Sequence, residues 1–291
     1  MLEVFLTVSL AYLLKRAGLF SEEHSKVLVN YVLYFALPIL SFKTAHGLGF
    51  SLGVLGVALG AWLVIILSLL TAYLVGTFLR LNPSDLKTLT LISAFGNTAF
   101  LGYPYSFNYF GEEGLMYAVI YDSIGSFLAV SSIGFLILSG RFDLKPLLSF
   151  PPFLGLVLGF LLRGYQLPEA FWKFVDFSLA SLLPVVLFSL GLSLEFSRML
   201  KEGKLLLVAL TLKMFISPLF ALFLLKLLPI NALAYKVSVV ESAMPTMVTV
   251  SVLVLKFGLN HNLAFGSAGL GIVVSFFSVP LWLYLLERLP M

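Results

Sequence analysis

The sequence predicts an all-α polytopic membrane protein whose ten transmembrane helices form a 5+5 inverted repeat, with helices four and nine broken and crossing. Three observations support this fold class. Hydrophobic residues make up 60% of the 291 residues and charged residues only 11%, whereas a soluble domain carries about a quarter. Apolar segments follow one another along the whole chain. The two halves also share landmarks at a constant spacing.

Ten apolar segments approach or exceed the roughly 20 residues that a helix needs to cross the hydrocarbon core. They are 2–18, 27–45, 52–79, 88–108, 115–138, 146–164, 170–194, 204–228, 232–255 and 263–287. The polar joints between them are too short to form a soluble domain. We therefore expect a multi-pass protein of the plasma or inner membrane, whose function takes place within the membrane.

The basic residues predict the orientation, because cytoplasmic loops carry an excess of Lys and Arg. The joints after odd-numbered segments hold Lys15, Arg16, Lys26, Arg80, Lys87, Arg141, Lys145, Arg198, Lys201, Lys204 and Lys256. The opposite side holds Lys43, Arg163, Lys173, Lys226, Lys236 and Arg288. This bias places both termini outside and the short connection at 139–145 in the cytoplasm.

The inverted repeat is predicted from matches between residues 1–138 and residues 146–291. "FLTVSLAYLLKRAGL" at 5–19 aligns with "FLGLVLGFLLRGYQL" at 153–167, and the segments around Pro38 and Pro184 also correspond. The Phe-Gly pairs in "NYFGEEG" and "LKFGLNH" fall at nearly the same offset. Since each half has five segments, an odd number, the second half enters the membrane the other way up. Many secondary transporters have this architecture.

Both halves interrupt their fourth segment at the same place. "SAFGNTAFLGYP" at 93–104 contains Gly and Pro, which are poor helix formers, and "ESAMPTM" at 241–247 lies opposite it. A broken helix strands backbone groups, which is tolerated only beside protein or a water-filled cavity. Paired breaks indicate a midplane binding site. Since helix N-termini carry partial positive charge, an anion is the expected guest.

The motifs "AYLLKRAGLFSEE", "FALPILSF", "GNTAFLGYP", "FSLGLSL" and "SAMPTMVTVSVLVLKFG", in this order, resemble the auxin efflux carrier family and its shorter microbial permease relatives. The resemblance implies a fold related to bile-acid/sodium symporters. In that fold helices 1, 2, 6 and 7 form a scaffold, and helices 3–5 and 8–10 form a transport domain that moves like an elevator. It also implies organic-anion substrates and places Asn97 and the Pro245 crossover at the substrate site.

Further candidates for substrate binding are polar or adaptable side chains near the breaks or on the scaffold. With the two already named, the set is Asn97, Thr98, Tyr103, Met244, Pro245, Thr246 and Asn30. For Tyr103 and Asn30 the alternative is interhelical hydrogen bonding, and for Met244 it is core packing.

Ionisable residues inside apolar segments indicate an ion or proton site. Glu241, with hydroxyls such as Ser93, Ser242 or Thr246, could hold sodium or carry a proton; the alternative is a structural carboxyl group. Asp122 and Lys213 lie in the fifth and eighth segments. Lys213 could pair with either carboxylate or contribute positive potential for an anion.

The predicted function is a secondary transporter of a small organic anion. The alternatives are a sodium- or proton-coupled symporter with Glu241 as the ion site and, more remotely, a channel. No catalytic constellation is visible, so an enzyme is not expected; neither is a nucleic-acid partner, nor a cofactor beyond a coupling ion. Membrane lipid surrounds the chain. A homodimer could form through the scaffold helices, where Gly155-x-x-x-Gly159 resembles a close-packing motif.

Overall fold

A computed structural model describes residues 2–48, 51–141, 148–194 and 203–288. These ranges form helices and no strands, apart from one isolated antiparallel bridge between Gly96 and Thr246. Six of the helices are long and apolar enough to cross a membrane, and shorter apolar helices lie between them. The described residues therefore have the architecture of a multi-pass membrane protein.

The helices are numbered here in chain order. They are α1 (Leu2–Arg16), α2 (Glu23–Leu48), α3 (Leu52–Phe78), α4 (Pro83–Ile92), α5 (Thr98–Ser139), α6 (Pro151–Leu161), α7 (Glu169–Ser193), α8 (Gly203–Leu227), α9 (Ala232–Ser242), α10 (Val248–Lys256) and α11 (His261–Arg288). Helix α5 is divided by Gly111, whose φ of 69° breaks the helical path. Side-chain oxygens of Ser51, Asn82 and Asn231 cap the starts of α3, α4 and α9.

Helices α1, α2, α6 and α7 pack against one another through glycines. A Cβ at Gly155 of α6 would overlap the carbonyl oxygen of Pro38, and a Cβ at Gly159 would lie 2.5 Å from the carbonyl oxygen of Phe42. The absence of a side chain lets the backbones of α2 and α6 approach closely. The Gly155-x-x-x-Gly159 motif thus packs inside the chain. These two glycines contact α2 of the same chain, so the motif is not free to form the dimer contact suggested for it. A homodimer through other surfaces of the scaffold helices stays a prediction.

The remaining helices form a second set, in which α3 packs against α4, α5 and α8, and α9 packs against α5 and α11. The two sets meet at buried apolar side chains of α2, α5, α7 and α9. These include Val32, Leu37, Val119, Val186 and Val237. The division into a scaffold and a transport domain, which the family resemblance implies, stays a prediction.

Two interruptions of the helical path lie side by side. One is the segment 93–97 between α4 and α5, and the other is the segment 243–247 between α9 and α10. The amide of Asn97 donates to the carbonyl of Pro245 at 2.7 Å, and the amide of Met247 donates to that of Phe95 at 2.9 Å. Each interruption therefore supplies hydrogen-bond partners that the other would otherwise lack.

Several sequence expectations fall on residues 142–147 and 195–202, which lie outside the described ranges. They include most of the 139–145 connection, together with Lys145, Arg198 and Lys201. The sixth segment, expected over 146–164, contains a shorter helix, Pro151–Leu161. This helix has Pro151 and Pro152 in its first turn and ends before Gly164, whose φ is 91°.

The glycine packing predicts that G159A destabilises the protein. The added methyl group would press on the backbone of Phe42, and such overpacking costs about 1–3 kcal/mol. G53A in α3 is a matched control, because a Cβ there would lie 3.7 Å from its nearest neighbour, the Ser51 hydroxyl. Thermal unfolding of both purified variants in detergent should show a lower Tm for G159A alone. Equal Tm values would contradict the packing.

Candidate functional site

A cavity of about 320 Å³ lies beside the paired interruptions, between α2 and α7 on one side and α5 and α10 on the other. We call it the central cavity. Its lining is mostly apolar, with a few polar side chains. The lining residues are Val29, Leu33, Leu37, Asn97, Ala99, Phe100, Asp122, Phe127, Phe150, Ser189, Leu190, Ser193, Met247, Val248 and Thr249.

The starts of α5 and α10 both face this cavity. Ala99 and Phe100 belong to the first turn of α5, and Val248 and Thr249 to the first turn of α10. Amides in the first turn of a helix have no intrahelical acceptor. Each helix N-terminus therefore presents roughly half a positive charge, and here two of them meet at one cavity.

Asn97 also lines the central cavity, and the nitrogen of its side chain is a donor left unused by the described residues. Asn97 is 3% exposed, and its Nδ2 has no hydrogen-bond partner among the residues that the structure describes. Its backbone is fully engaged, since the amide bonds to Pro245 and the carbonyl accepts from Leu101 and Gly102. A buried donor left unpaired costs about 1–3 kcal/mol. An acceptor brought by a guest would satisfy it.

Asp122 also lines the cavity and is held by two hydroxyl groups. Thr98 Oγ1 donates to its Oδ1, and the Tyr103 hydroxyl donates to its Oδ2 at 2.9 Å. All three residues are at least 96% buried. The structure thus brings together three side chains that the sequence proposed separately.

Wide, π-helical turns carry several of the polar residues. Thr98 lies in the turn Thr98–Gly102, Asp122 in Tyr121–Ser126, and Lys213 in Leu212–Ile216. Such turns inside α-helices are rare and are frequent at functional sites. These turns could not be predicted from the sequence, because apolar periodicity does not distinguish one extra residue in a turn.

Glu241 lies behind the interruption and is completely buried. Its Oε1 accepts a hydrogen bond from Ser106 Oγ at 2.7 Å, whereas its Oε2 has no partner within the described part of the chain. Gly102 packs directly against this carboxyl group, and a Cβ at that position would overlap Oε2. Ser106 and Gly102 were not predicted as neighbours of Glu241, since only the fold brings α5 to α9.

Lys213 contacts neither carboxylate as an ion pair. Its Nζ donates to the carbonyl oxygen of Ser242 at 2.6 Å. Within the described ranges, Lys213 has no nitrogen–oxygen distance to Glu241 or Asp122 within the 4.0 Å that defines an ion pair. The sequence left open whether Lys213 pairs with Glu241 or with Asp122. The observed hydrogen-bond partner is neither of them but a backbone carbonyl.

Other predicted residues lie away from the central cavity. Asn30 is exposed and lines a neighbouring cavity of about 470 Å³ that shares Val29, Ser193 and Val248 with the central one. Met244 is buried in the core, and the Thr246 hydroxyl bonds to the carbonyl of Ile92 and to Ser267. Pro245 contributes its backbone carbonyl to the pairing of the interruptions.

Two of the three hydroxyl groups expected as sodium ligands near Glu241 have partners elsewhere, and the Ser93 hydroxyl has no partner among the described residues. The Ser242 hydroxyl donates to the carbonyl of Val239 at 2.6 Å, and that of Thr246 is engaged elsewhere. Across residues 2–48, 51–141, 148–194 and 203–288, no group of three or more His, Asp or Glu side chains could hold a metal ion. Ser106 is the hydroxyl that contacts Glu241.

Ser189 and Ser193 of α7 line the central cavity but were not proposed from the sequence. Both serines belong to the motif "FSLGLSL" at 188–194, to which the sequence assigns no role for them. Gly191 explains part of the motif, because a Cβ there would overlap the backbone of Val8 in α1. This packing turns the opposite side of α7, with Ser189, towards the cavity.

Comparison with known proteins identifies similar chains. A family model described as "Membrane transport protein" matches residues 1–146 and 135–283. An uncharacterized transporter of Methanocaldococcus jannaschii is 32% identical over 298 residues, covering 97% of this chain and 96% of the relative. An uncharacterized transporter of Methanothermobacter thermautotrophicus is 29% identical over 290 residues, covering 97% and 95%. Neither name states a substrate.

The contacts of Asp122 predict that Y103F destabilises the protein. Removing the hydroxyl leaves Oδ2 of a buried carboxyl group without its donor, at a cost of about 1–3 kcal/mol. Y34F is the matched control, because Tyr34 is 69% exposed. Y103F should lower the Tm of purified protein and Y34F should not.

A double-mutant cycle tests the pairing itself. In a D122N background, Y103F should lower the Tm by less than it does in the wild type, because the two groups interact directly. Additive effects would show that Tyr103 acts through other contacts.

Proposed function

Because the chain belongs to the membrane transport protein family, the auxin efflux carrier family that its motifs resemble, we propose that it is a secondary transporter of a small organic anion that carries a carboxylate. One observation carries the proposal. Two helix N-termini line the same cavity as Asn97, whose side-chain amide nitrogen has no partner among the described residues.

The central cavity supports an anion with an apolar body. Its polar donors lie at the start of α5 and α10, whereas Leu33, Leu37 and Phe100 provide an apolar surface. Electrostatic attraction is strong in surroundings of low dielectric constant, so a carboxylate would be held at the helix starts. A volume of about 320 Å³ is at the lower end for small-molecule sites and fits a small guest.

A second cavity supports alternating access. This cavity, of about 620 Å³, is lined by Leu40, Lys43 and Thr44 of α2, whereas the central cavity contacts the same helix at Val29, Leu33 and Leu37. The two cavities therefore follow one another along α2, and their linings come within about one helical turn between Leu37 and Leu40. Such a succession along one helix is expected for two halves of one pathway.

We assign the motion to the two sets of helices. The set α3–α5 and α8–α11 would move as an elevator against α1, α2, α6 and α7, with ten spans arranged as two inverted halves. In the orientation predicted from the basic residues, both termini lie outside. The central cavity then faces the cytoplasm, since it is lined by the first half of α2 and the end of α7.

A second candidate is the same carrier coupled to a proton or a sodium ion. Two observations favour it. Asp122 lines the proposed anion cavity and would repel an anion if ionised, and Glu241 has a buried oxygen without a partner among the described residues. A cation bound with the anion would relieve both.

The anion site predicts that N97A weakens carboxylate binding. The variant loses the unpaired donor, and a hydrogen bond to a charged group is worth about 1.5–3 kcal/mol, or roughly ten- to a hundred-fold in Kd. A thermal-shift screen of small carboxylates on purified wild type would identify ligands by their rise in Tm. N97A should shift less with the best ligand.

N30A is the control for this experiment, because Asn30 lies in the neighbouring cavity. P245A should also weaken binding, since it changes the backbone of the interruption that positions α10. Wild-type affinity in both N97A and P245A, with folded protein, would remove the site from the central cavity.

The second candidate predicts that E241Q uncouples transport from its ion. Uptake of the best carboxylate into proteoliposomes would be measured with imposed proton and sodium gradients. The amide cannot carry a proton or neutralise a cation, so E241Q should lose the gradient dependence of the wild type. E169Q is a matched control, because the Glu169 side chain is 82% exposed and lines neither cavity. Gradient dependence retained in E241Q would make Glu241 structural.

A further inference from the structure

Lys213 is among the largest fully buried side chains of the described chain. It is 1% exposed and lies in the wide turn of α8 between apolar residues. Burying an ammonium group is expensive unless it is paired and hydrogen-bonded. The groups that contact Lys213 must therefore explain how this position accommodates a buried lysine.

The ammonium group lies where the two interruptions meet. Its Nζ donates to the carbonyl oxygen of Ser242, the last residue of α9, at 2.6 Å. On its other side is Gly96, where a Cβ would lie 3.2 Å from Nζ and 3.4 Å from the carbonyl oxygen of Met244. A larger residue at position 96 would crowd the lysine, so glycine makes room for it.

The charge that Lys213 faces is that of backbone carbonyls. The last carbonyls of a helix carry roughly half a negative charge, and Ser242 ends α9. No carboxylate of a described residue lies within ion-pair distance of Nζ. The hydrogen-bond partner of the lysine is thus the C-terminal end of a broken helix and not a carboxylate.

Carbonyl oxygens at unwound helix ends are also the ligands with which broken transporter helices hold sodium. We propose that the ammonium group of Lys213 is a built-in cation that takes the place of a bound metal ion at the junction of the two interruptions. This inference rests on the proposed transporter function and deepens it. The junction is neutralised by the protein itself, and the carrier needs no sodium there to hold its broken helices together.

The test is the salt dependence of thermal unfolding in K213A. The variant removes the cation and leaves a space beside the Ser242 carbonyl. The Tm would be measured for wild type, K213A and K213R in about 200 mM sodium chloride, ammonium chloride or N-methylglucamine chloride. K213A should be less stable than wild type in N-methylglucamine chloride and regain several degrees in sodium or ammonium chloride. The Tm of the wild type should not change among the three salts, and neither should the Tm of K213R.

Two results would overturn the proposal. One is a K213A variant whose Tm is the same in the three salts, and the other is a sodium-specific rise in the Tm of the wild type that persists in E241Q, where the alternative sodium site is removed. Should K213A not be recoverable as folded protein, the comparison of wild type with E241Q still decides, since a built-in cation leaves no sodium-specific effect at the junction. No substrate enters this assay, so its outcome is separate from that of the carboxylate screen.

Discussion

The structure depends on how a helix can be interrupted inside a membrane without leaving backbone groups unpaired. Each unsatisfied amide or carbonyl in hydrocarbon costs several kcal/mol. Here the segment 93–97 and the segment 243–247 satisfy each other through hydrogen bonds between Asn97 and Pro245 and between Met247 and Phe95. Neither interruption has these partners without the other. The pairing therefore fixes the positions of four helix ends at once.

The pairing also separates the helix ends with partial positive charge from those with partial negative charge. The starts of α5 and α10 face the central cavity, where Asn97 adds an unpaired donor. The ends of α4 and α9 turn away from it: the carbonyl of Ile92 accepts from Thr246, and that of Ser242 accepts from Lys213. Positive potential is thus presented to a guest, while negative potential is neutralised by the protein itself.

The sequence predicted the membrane class and the positions of the interruptions, because Gly96 and Pro245 disfavour a helix wherever the chain places them. The directions of the side chains could not be predicted. Met244 and Thr246 neighbour the interruption yet face the core, and Asn30 faces an adjoining cavity. These outcomes depend on packing between helices distant in sequence. The hydrogen bond from Lys213 to a backbone carbonyl is equally invisible, since every residue has such a carbonyl.

A balance of charges follows from this arrangement. The two helix starts at the cavity together contribute about one positive charge, enough to offset one carboxylate. Lys213 donates to the carbonyl of Ser242 and, within the described residues, forms an ion pair with neither Asp122 nor Glu241. Asp122 has only hydroxyl donors, and Glu241 has one hydroxyl donor and one unpaired oxygen. The hydroxyl contacts of Glu241 do not form a shell for a metal ion. A proton needs no such shell, so these contacts suit a proton better than sodium as the coupling ion of the proposed carrier.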